Sequence, residues 1–278
     1  MKLSRTGLIL LASAALLSAS GCSYINRLRA KSELNQVAQN YKDKKYADAE
    51  QHAKKAAELD PDNENAPLFV ARTIHAQVRR GDKTDANIAK ANEAIEAYKK
   101  IEAKDPNNDE AFSAVTVLYG QLDKTDEQMK WVEERANNEA VSPEKRSIAF
   151  AILSDKDWQC SIAVTDSNDN KHTVQKPDGS VFIQYTKPKD SQQFDDAKKC
   201  VARGLERVEK AINLNPNNEN AYGQKYKLLQ EAKKLALMED KKDEAAQYAK
   251  QAEDAAKKSG ELRKQNQPSP SPTQPPST

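Results

Sequence analysis

The amino-acid sequence predicts an all-α protein, an α-solenoid of about five helix pairs that carries a small β insertion. Three observations predict this class. A seven-residue phrase with a central proline occurs three times, apolar residues recur at helical spacing between the copies, and only 8 of 278 residues are glycine. Ala, Glu, Lys and Gln, which are strong helix formers, are abundant, so helix is expected over most of the chain.

The repeated phrase marks where one helix ends and the next begins. Its copies occupy residues 57–63, 102–108 and 212–218. Proline cannot continue the helix that it follows, and the Asp or Asn residues beside it supply a turn and a cap for the next helix. The following helices are expected to begin near Ala66, Ala111 and Ala221. The phrase therefore predicts three helix-turn-helix junctions.

Small residues precede each proline at fixed distances. The residues twelve positions before the three prolines are Ala49, Ala94 and Gly204. The residues five positions before them are Ala56, Ile101 and Ala211. Together with the proline phrase, this pattern resembles the tetratricopeptide repeat family, in which each 34-residue repeat is a pair of antiparallel helices. Small residues at these positions let paired helices approach closely, and Ile101 is the one departure from the pattern.

The distances between the prolines locate the insertions. Pro61 and Pro106 are 45 residues apart, longer than one repeat, and the extra residues fall at 81–85 between paired helices. Pro106 and Pro216 are 110 residues apart, which leaves room for a degenerate repeat over 109–138 and a larger insertion.

The larger insertion changes from helical to alternating apolar spacing. The alternating residues are Ile162, Val164, His172, Val174, Val181, Ile183 and Tyr185. Two segments rich in turn residues, 166–170 and 176–179, separate them. The pattern predicts a β meander of two or three strands over about residues 161–188. Helix is expected to resume near Ser191.

Residues 1–21 have the layout of a secretion signal, in which basic residues precede an apolar run and then small residues. The run is shorter than the roughly 20 residues that cross a membrane. Its Ala-Ser-Gly-Cys ending at Cys22 resembles the lipobox of bacterial lipoproteins, although Ala19 stands where that family usually has leucine. The alternatives are cleavage near Ser20, which would leave Cys22 as a free thiol, and an uncleaved anchor.

The lipoprotein resemblance implies a palmitate-type acyl chain on Cys22 and attachment to the lipid bilayer. In enteric lipoproteins, a serine such as Ser23 after the cysteine favours the outer membrane, facing the periplasm. Residues 22–29 would then form a tether and residues 30–264 the repeat domain. Residues 265–278 are rich in proline, serine and threonine, a composition that cannot bury a core, and we expect them to be disordered.

Cys160 and Cys200 stand on the two sides of the insertion. An exported protein meets an oxidising compartment, and an even number of cysteines remains once Cys22 is set aside, so we expect a disulfide between them. A metal site would need further ligands, and only His172 lies between these two cysteines.

Charge and motifs argue against nucleic-acid binding and catalysis. Two of the 44 basic residues lie within residues 1–21, so the remainder balances the 42 acidic residues, and no basic block occurs. The three histidines lie in separate segments, and nucleotide loops, nucleophile elbows and paired Cys-x-x-Cys motifs are absent from the sequence. We therefore expect no enzyme, cofactor, metal or small-molecule substrate.

The tetratricopeptide resemblance implies a protein or peptide partner, because in that family the first helices of successive repeats line a concave groove. The family's inner positions fall on Leu34, Tyr41, Leu68, Arg72, His75, Val117, Asn220 and Lys227. The alternative is that the apolar members of this set pack in the core and that the charged members are simply solvated. Fold does not dictate function.

Three functional hypotheses follow. The first is a membrane-anchored scaffold that binds proteins of the bacterial cell envelope. The second, narrower, is a component of an outer-membrane protein assembly or pilus biogenesis machine, which helical-repeat lipoproteins resembling this one serve. The third places a binding or hydrolytic role in the β insertion, although about 28 residues are too few for an active site.

Overall fold

The computed structural model describes the backbone of residues 5–266 and the side chains of residues 23–266. The side chains of the predicted secretion signal and of Cys22, and the proline-rich tail beyond residue 266, lie outside the described part of the chain. The described part contains ten helices: α1 (Arg5–Lys42), α2 (Tyr46–Leu59), α3 (Ala66–His75), α4 (Asp85–Lys104), α5 (Asp109–Gln121), α6 (Thr125–Asn137), α7 (Pro143–Thr165), α8 (Ser191–Leu214), α9 (Glu219–Met238) and α10 (Lys242–Asn266).

Consecutive helices pack in pairs within each unit. Packing joins α1 to α2, α3 to α4, α7 to α8 and α9 to α10. A short turn connects α5 to α6, and the Gln128 amide donates a hydrogen bond to the carbonyl of Thr116 at 2.8 Å. The chain divides into two compact units, Met1–Gln128 and Met129–Thr278. The predicted fold class, a tetratricopeptide-like all-α repeat with a small β insertion, is confirmed.

The three copies of the repeated phrase fold in the same way. In each, the backbone N–H of the asparagine two residues after proline donates to the carbonyl of the residue before proline. These bonds are Asn63 to Asp60, Asn108 to Asp105 and Asn218 to Asn215, each 3.0 Å. The asparagine side chain then accepts from the alanine N–H of the next helix, namely Ala66 at 3.2 Å, Ala111 at 3.0 Å and Ala221 at 3.2 Å. Each copy thus makes its turn and its cap locally.

The predicted small residues lie at helix contacts. Ala49, Ala56, Ala94 and Ala211 are fully buried. A Cβ atom on Gly204 would come within 2.7 Å of Leu228 Cδ2 and 3.0 Å of Asp157 Cβ, so this position has no room for a methyl group. Ile101, the departure from the pattern, is half-buried.

The core of the first unit is built largely from small side chains. Val37, Ala49 and Ala53 form one cluster, with Phe69 and Val70 packed against it. The insertion predicted at residues 81–85 lies in the loop between α3 and α4 and reaches the first residue of α4. The Asn87 side chain closes this loop by bonding the backbone N–H and carbonyl of Arg79 and the carbonyl of Asp82.

In the second unit, an apolar cluster forms around Phe194. Its buried members are Phe194, Ala197, Val201, Ala232 and Leu235. A disulfide joins Cys160 on α7 to Cys200 on α8, with an S–S distance of 2.06 Å and Cα atoms 6.1 Å apart. Near it, Asp157 is 1% exposed and accepts from Arg203 Nε at 2.6 Å and from Arg207 Nη1 at 2.9 Å. Covalent and ionic bonds therefore tie α7 to α8.

The β insertion begins later than predicted. The expected strand at Ile162 and Val164 is instead the end of α7. The hydroxyls of Ser161 and Thr165, one helical turn apart, both donate to the carboxylate of Glu231, which is 1% exposed. A helix places both hydroxyls on one side, whereas in a strand they would be about 13 Å apart.

The remaining insertion, residues 166–190, forms a two-stranded hairpin, the smaller of the two predicted arrangements. Strand β1 (Lys171–Gln175) pairs antiparallel with β2 (Val181–Tyr185), and Thr173 lies opposite Ile183. The turn between the strands contains Gly179, whose φ of 82° suits glycine.

Residues 22–29, predicted to form a tether, lie within helix α1. Arg27 bonds Asp62 at 3.3 Å and lies 3.7 Å from Asp60, and Ala30 is 1% exposed. The packed domain therefore begins slightly before residue 30. Among the described residues, none of the helices combines the length and the apolar character needed to cross a membrane.

Candidate binding grooves

The predicted groove residues divide between the two units. Six of them lie in the first unit and two in the second, so each unit has to be considered by itself. In each unit a groove runs between the first helices of neighbouring pairs.

The groove of the first unit, hereafter the α1/α3 groove, has a volume of ≈ 340 Å³. Its lining residues are Val37, Ala38, Tyr41, Phe69, Arg72 and Thr73. On each helix they are one, three or four positions apart, which puts them on one face. Val37 at the floor is 1% exposed, whereas Tyr41 at the open side is 43% exposed. The result is an apolar recess with an aromatic wall.

Arg72 closes one side of the α1/α3 groove with a charge pair. Its guanidinium donates two hydrogen bonds, from Nε and Nη2, to the carboxylate of Glu110 on α5. It also lies 5.7 Å from the ring centroid of Phe69. Hydrogen bonding to Glu110 raises the pKa of Arg72, so the group stays cationic. Both side chains are 40% exposed, so an ionic group of a partner can compete for either one.

Four predicted residues of the first unit do not line this groove. His75 stacks edge-on against Tyr98, with ring centroids 5.8 Å apart, and burial lowers the pKa of His75. Leu34 packs on the cluster around Val37, and Leu68 is half-buried. Val117 is 49% exposed on α5 and does not line the groove.

Sequence reasoning missed Val37 and Phe69. The signal was present, because Val37 precedes Tyr41 by four residues and Phe69 precedes Arg72 by three, each the spacing of one helical turn. Of the six residues predicted in this unit, the structure brings Tyr41 and Arg72 together.

The groove of the second unit, hereafter the α7/α9 groove, has a volume of ≈ 300 Å³. Its lining residues are Ile148, Ala151, Ile152, Asp155, Asn220 and Gln224. Ile148 is 50% exposed and supplies the apolar surface at its mouth. Asn220, predicted from the sequence, lies in the wall.

Polar groups complete the α7/α9 groove. Lys227, the other predicted residue, donates to Asp155 at 3.1 Å and lies 4.4 Å from the ring centroid of Trp158. The Oε1 atom of Gln224 is buried and has no hydrogen-bond partner among the described residues. A buried acceptor without a donor is costly, so a donor supplied by a partner would be stabilising there.

A larger cavity, ≈ 740 Å³, lies elsewhere in the first unit, beside the start of α2 and the loop before α4. Its walls carry several charged side chains, among them Lys44, Lys45, Arg79 and Lys90. It lacks the apolar floor of the α1/α3 groove. Within the described residues, no group of three or more His, Cys, Asp or Glu side chains is placed to hold a metal ion.

Helix pairs with repeated caps, small contact residues and grooves between their first helices define the class of this molecule. It has the fold of a tetratricopeptide-type helical-repeat protein.

Comparison with solved structures finds chains of low sequence identity to this one. The chain is similar to MamA, with 16% identity over 84% of this chain and 94% of that one, at a TM-score of 0.35. It is similar to PilF of Pseudomonas aeruginosa, with 16% identity over 87% and 99% and a TM-score of 0.35. It is also similar to YrrB, described as a TPR protein with an unusual peptide-binding site, with 10% identity over 84% and 90% and a TM-score of 0.33. Likeness at this level of identity and TM-score assigns neither a fold nor a role to this chain. No protein-family model and no curated protein matches the sequence.

Proposed function

We propose that this chain is a non-enzymatic docking protein of the bacterial cell envelope, anchored to a membrane through acylated Cys22. It binds segments of partner proteins in the grooves between the first helices of its pairs. The observation that carries this proposal is the α1/α3 groove, which keeps an apolar floor and an aromatic wall open to solvent. Concave, largely apolar sites with few polar groups are typical of binding sites.

The lining of each groove indicates which side chains of a partner protein would fit it. The α1/α3 groove suits a large apolar side chain next to an ionic group, which would exchange with the Arg72–Glu110 pair. The α7/α9 groove suits a smaller apolar group beside a hydrogen-bond donor, since Gln224 Oε1 accepts from no described residue. Anchor side chains buried in such recesses supply most of the binding energy in protein interfaces.

Photocrosslinking in the native envelope tests this proposal. A photoreactive phenylalanine analogue replaces Tyr41 in the groove or, as the matched control, Leu237, an equally exposed apolar residue that lines neither groove. We expect discrete protein adducts from position 41 that are lost when Phe69→Ala is added. Equal adducts from both positions, or none from position 41, would contradict groove binding.

The anchor is tested independently. The mass of the exported protein should show acyl chains on Cys22, and Cys22→Ser should release the protein from membranes. Several acyl chains are needed for firm attachment, because a single chain binds only marginally. Fractionation of the envelope then tests the proposed outer-membrane location facing the periplasm.

A narrower proposal is that the partner belongs to an outer-membrane protein assembly or pilus biogenesis machine. It rests only on the lipoprotein resemblance of the sequence, and no residue selects either machine. Loss of outer-membrane barrels or of pili on deletion would support it, and an unaltered envelope would count against it.

The β hairpin is a second candidate binding surface, because three consecutive residues of β2 are exposed. Val181 is 65%, Phe182 41% and Ile183 50% exposed. Deleting residues 161–188 would also remove the hydroxyls that bond Glu231, so it cannot test the hairpin alone. Val181→Thr with Ile183→Thr is the cleaner test: loss of partner capture would favour the hairpin, and unchanged capture would favour the grooves.

A further inference from the structure

The first described turns of α1 expose an apolar stripe. Tyr24 is 65%, Ile25 50% and Leu28 53% exposed. These three lie within five consecutive residues. The described part of the chain contains only eleven exposed large hydrophobic residues in all. Single exposed apolar residues are ordinary, whereas a cluster marks an interaction surface.

Helix geometry separates this stripe from the packed face of α1. At 3.6 residues per turn, the three side chains span an arc of about 100°. Ala30 and Val37, both 1% exposed, lie on roughly the opposite side and pack into the first unit. The helix is therefore two-faced here, with one apolar face buried and another facing outward.

Basic residues border the exposed stripe. On the helical wheel, Arg29 lies on one side of it and Lys31 on the other, and residues 23–32 contain no acidic side chain. Arg27 bonds Asp60 and Asp62, but no ion pair joins Arg29 or Lys31 to another described residue. An apolar stripe bordered by long cationic side chains is complementary to an anionic lipid surface, since the stems lie along acyl chains while the charges reach phosphates.

The position of the stripe in the chain favours lipid over protein. Leu28 follows Cys22 by only six residues, about 9 Å along a helix, so acyl chains on Cys22 would hold the stripe beside the headgroup layer, where interfacial helices lie. We propose that α1 is tilted so that residues 23–31 lie in the headgroup layer of an anionic bilayer and later residues rise out of it, with the stripe toward the acyl chains and Arg29 and Lys31 at the phosphates. This inference rests on the anchor proposed above. In this arrangement the segment orients α1 on the membrane and does not act as a flexible tether.

Spin labelling measures this directly in the full-length processed protein. Leu28→Cys carries the label, and Gln39→Cys is the control, because Gln39 is exposed on nearly the same helix face about 16 Å farther along. The protein is reconstituted in vesicles of three parts phosphatidylcholine to one part phosphatidylglycerol. We expect oxygen to relax the spin label at position 28 more strongly than a water-soluble nickel complex does. At position 39 we expect the nickel complex to relax the label more strongly than oxygen. Equal nickel access at both positions would overturn the inference, and so would protection of position 28 from both reagents, which indicates a protein contact.

The mass of Cys22 separates this inference from the anchor. If Cys22 is acylated and position 28 remains open to nickel, the interfacial helix is wrong and the anchor stands. If Cys22 is not acylated, the same protein added to these vesicles tests the helix alone. Co-sedimentation that Leu28→Asp reduces at least tenfold would support it, and no co-sedimentation would overturn it.

Discussion

The two units share the repeated phrase but are held together by different means. The first unit joins its helices through short turns and buried alanines, and its ionic bonds involve half-exposed lysines such as Lys54 and Lys90 around Glu50. In the second unit, α7 and α8 are separated by an insertion of 25 residues, 166–190, and are tied by a disulfide and by the buried Asp157.

The difference follows from chain connectivity. A short turn with its own hydrogen bonds fixes the position of the next helix, so little else is needed. A long insertion leaves the ends of its helices free to separate, and the entropy of closing it has to be offset. In the second unit, the disulfide and the ion pairs between α7 and α8 offset this entropy.

The largest expected effect is loss of the disulfide. Cys160 and Cys200 are 40 residues apart in sequence, and the chain-entropy model gives at most about 4 kcal/mol for a loop of that length. Replacing both with serine should speed amide hydrogen exchange in α7 and α8 and leave α2 and α3 unchanged. Two free thiols in the folded exported protein, seen by non-reducing mass analysis, would show that the bridge is not formed.

Removing the buried carboxylate comes next. Asp157→Ala leaves Arg203 and Arg207 without their shared partner, and we expect a loss of about 2–4 kcal/mol in the free energy of unfolding. An exposed counterpart in the first unit is Glu93→Ala, which removes a 40% exposed carboxylate from two lysines and should cost less than about 1 kcal/mol. Equal losses in denaturant titrations would mean that the two units do not differ in this way.

A smaller effect is expected at the tightest helix contact. Gly204→Ala forces its methyl group against Leu228 and Asp157, which should cost about 1–2 kcal/mol after allowing for the better helix propensity of alanine. In the same unit, Gly260 has open space at its Cβ position, so Gly260→Ala should stabilise by about 0.5–1 kcal/mol. Thermal unfolding of the two variants checks the opposite signs.

The smallest expected effect is a graded loss of stability of the first unit in acid. Hydrogen bonds from Lys55 and His52 lower the pKa of Glu33. Burial opposes a similar shift at Glu50, but bonds from Lys54 and Gln77 outweigh it and lower its pKa. A carboxyl with a lowered pKa stabilises the fold above its usual value of 4.5, and this stability is lost as pH falls through the lowered value.

His75 acts in the same direction at higher pH. Burial lowers its pKa below 6.5, so the unfolded chain binds a proton before the folded one, and stability declines as pH falls below 6.5. Hydrogen exchange across a pH series should show a first decline that His75→Gln removes and a second that Glu50→Gln reduces. Protection factors of the first unit that stay constant from pH 7 down to about 3 would contradict both assignments. In the second unit, burial opposes a lower pKa for Asp166, but hydrogen bonds from Lys234 and Lys171 outweigh burial and lower it. The stability that Asp166 contributes is therefore also lost in acid.

The sequence by itself determined the parts of this protein that depend on near neighbours. The turns around Pro61, Pro106 and Pro216 were predictable because their backbone turn bonds and their asparagine caps join residues at most four apart. The same holds for the alanines of the paired helices and for the small residue at Gly204, since spacing from the proline fixes their place on the helix.

Only the tertiary structure decided the rest. Residues 161–165 alternate like a strand but are helical, because Glu231, some seventy residues later, binds two of their hydroxyls. The floor of the α1/α3 groove needs Val37 and Phe69 from helices that meet only on packing. Sequence patterns carry the periodicity of one helix, whereas a buried carboxylate or a groove depends on which faces of distant helices come into contact.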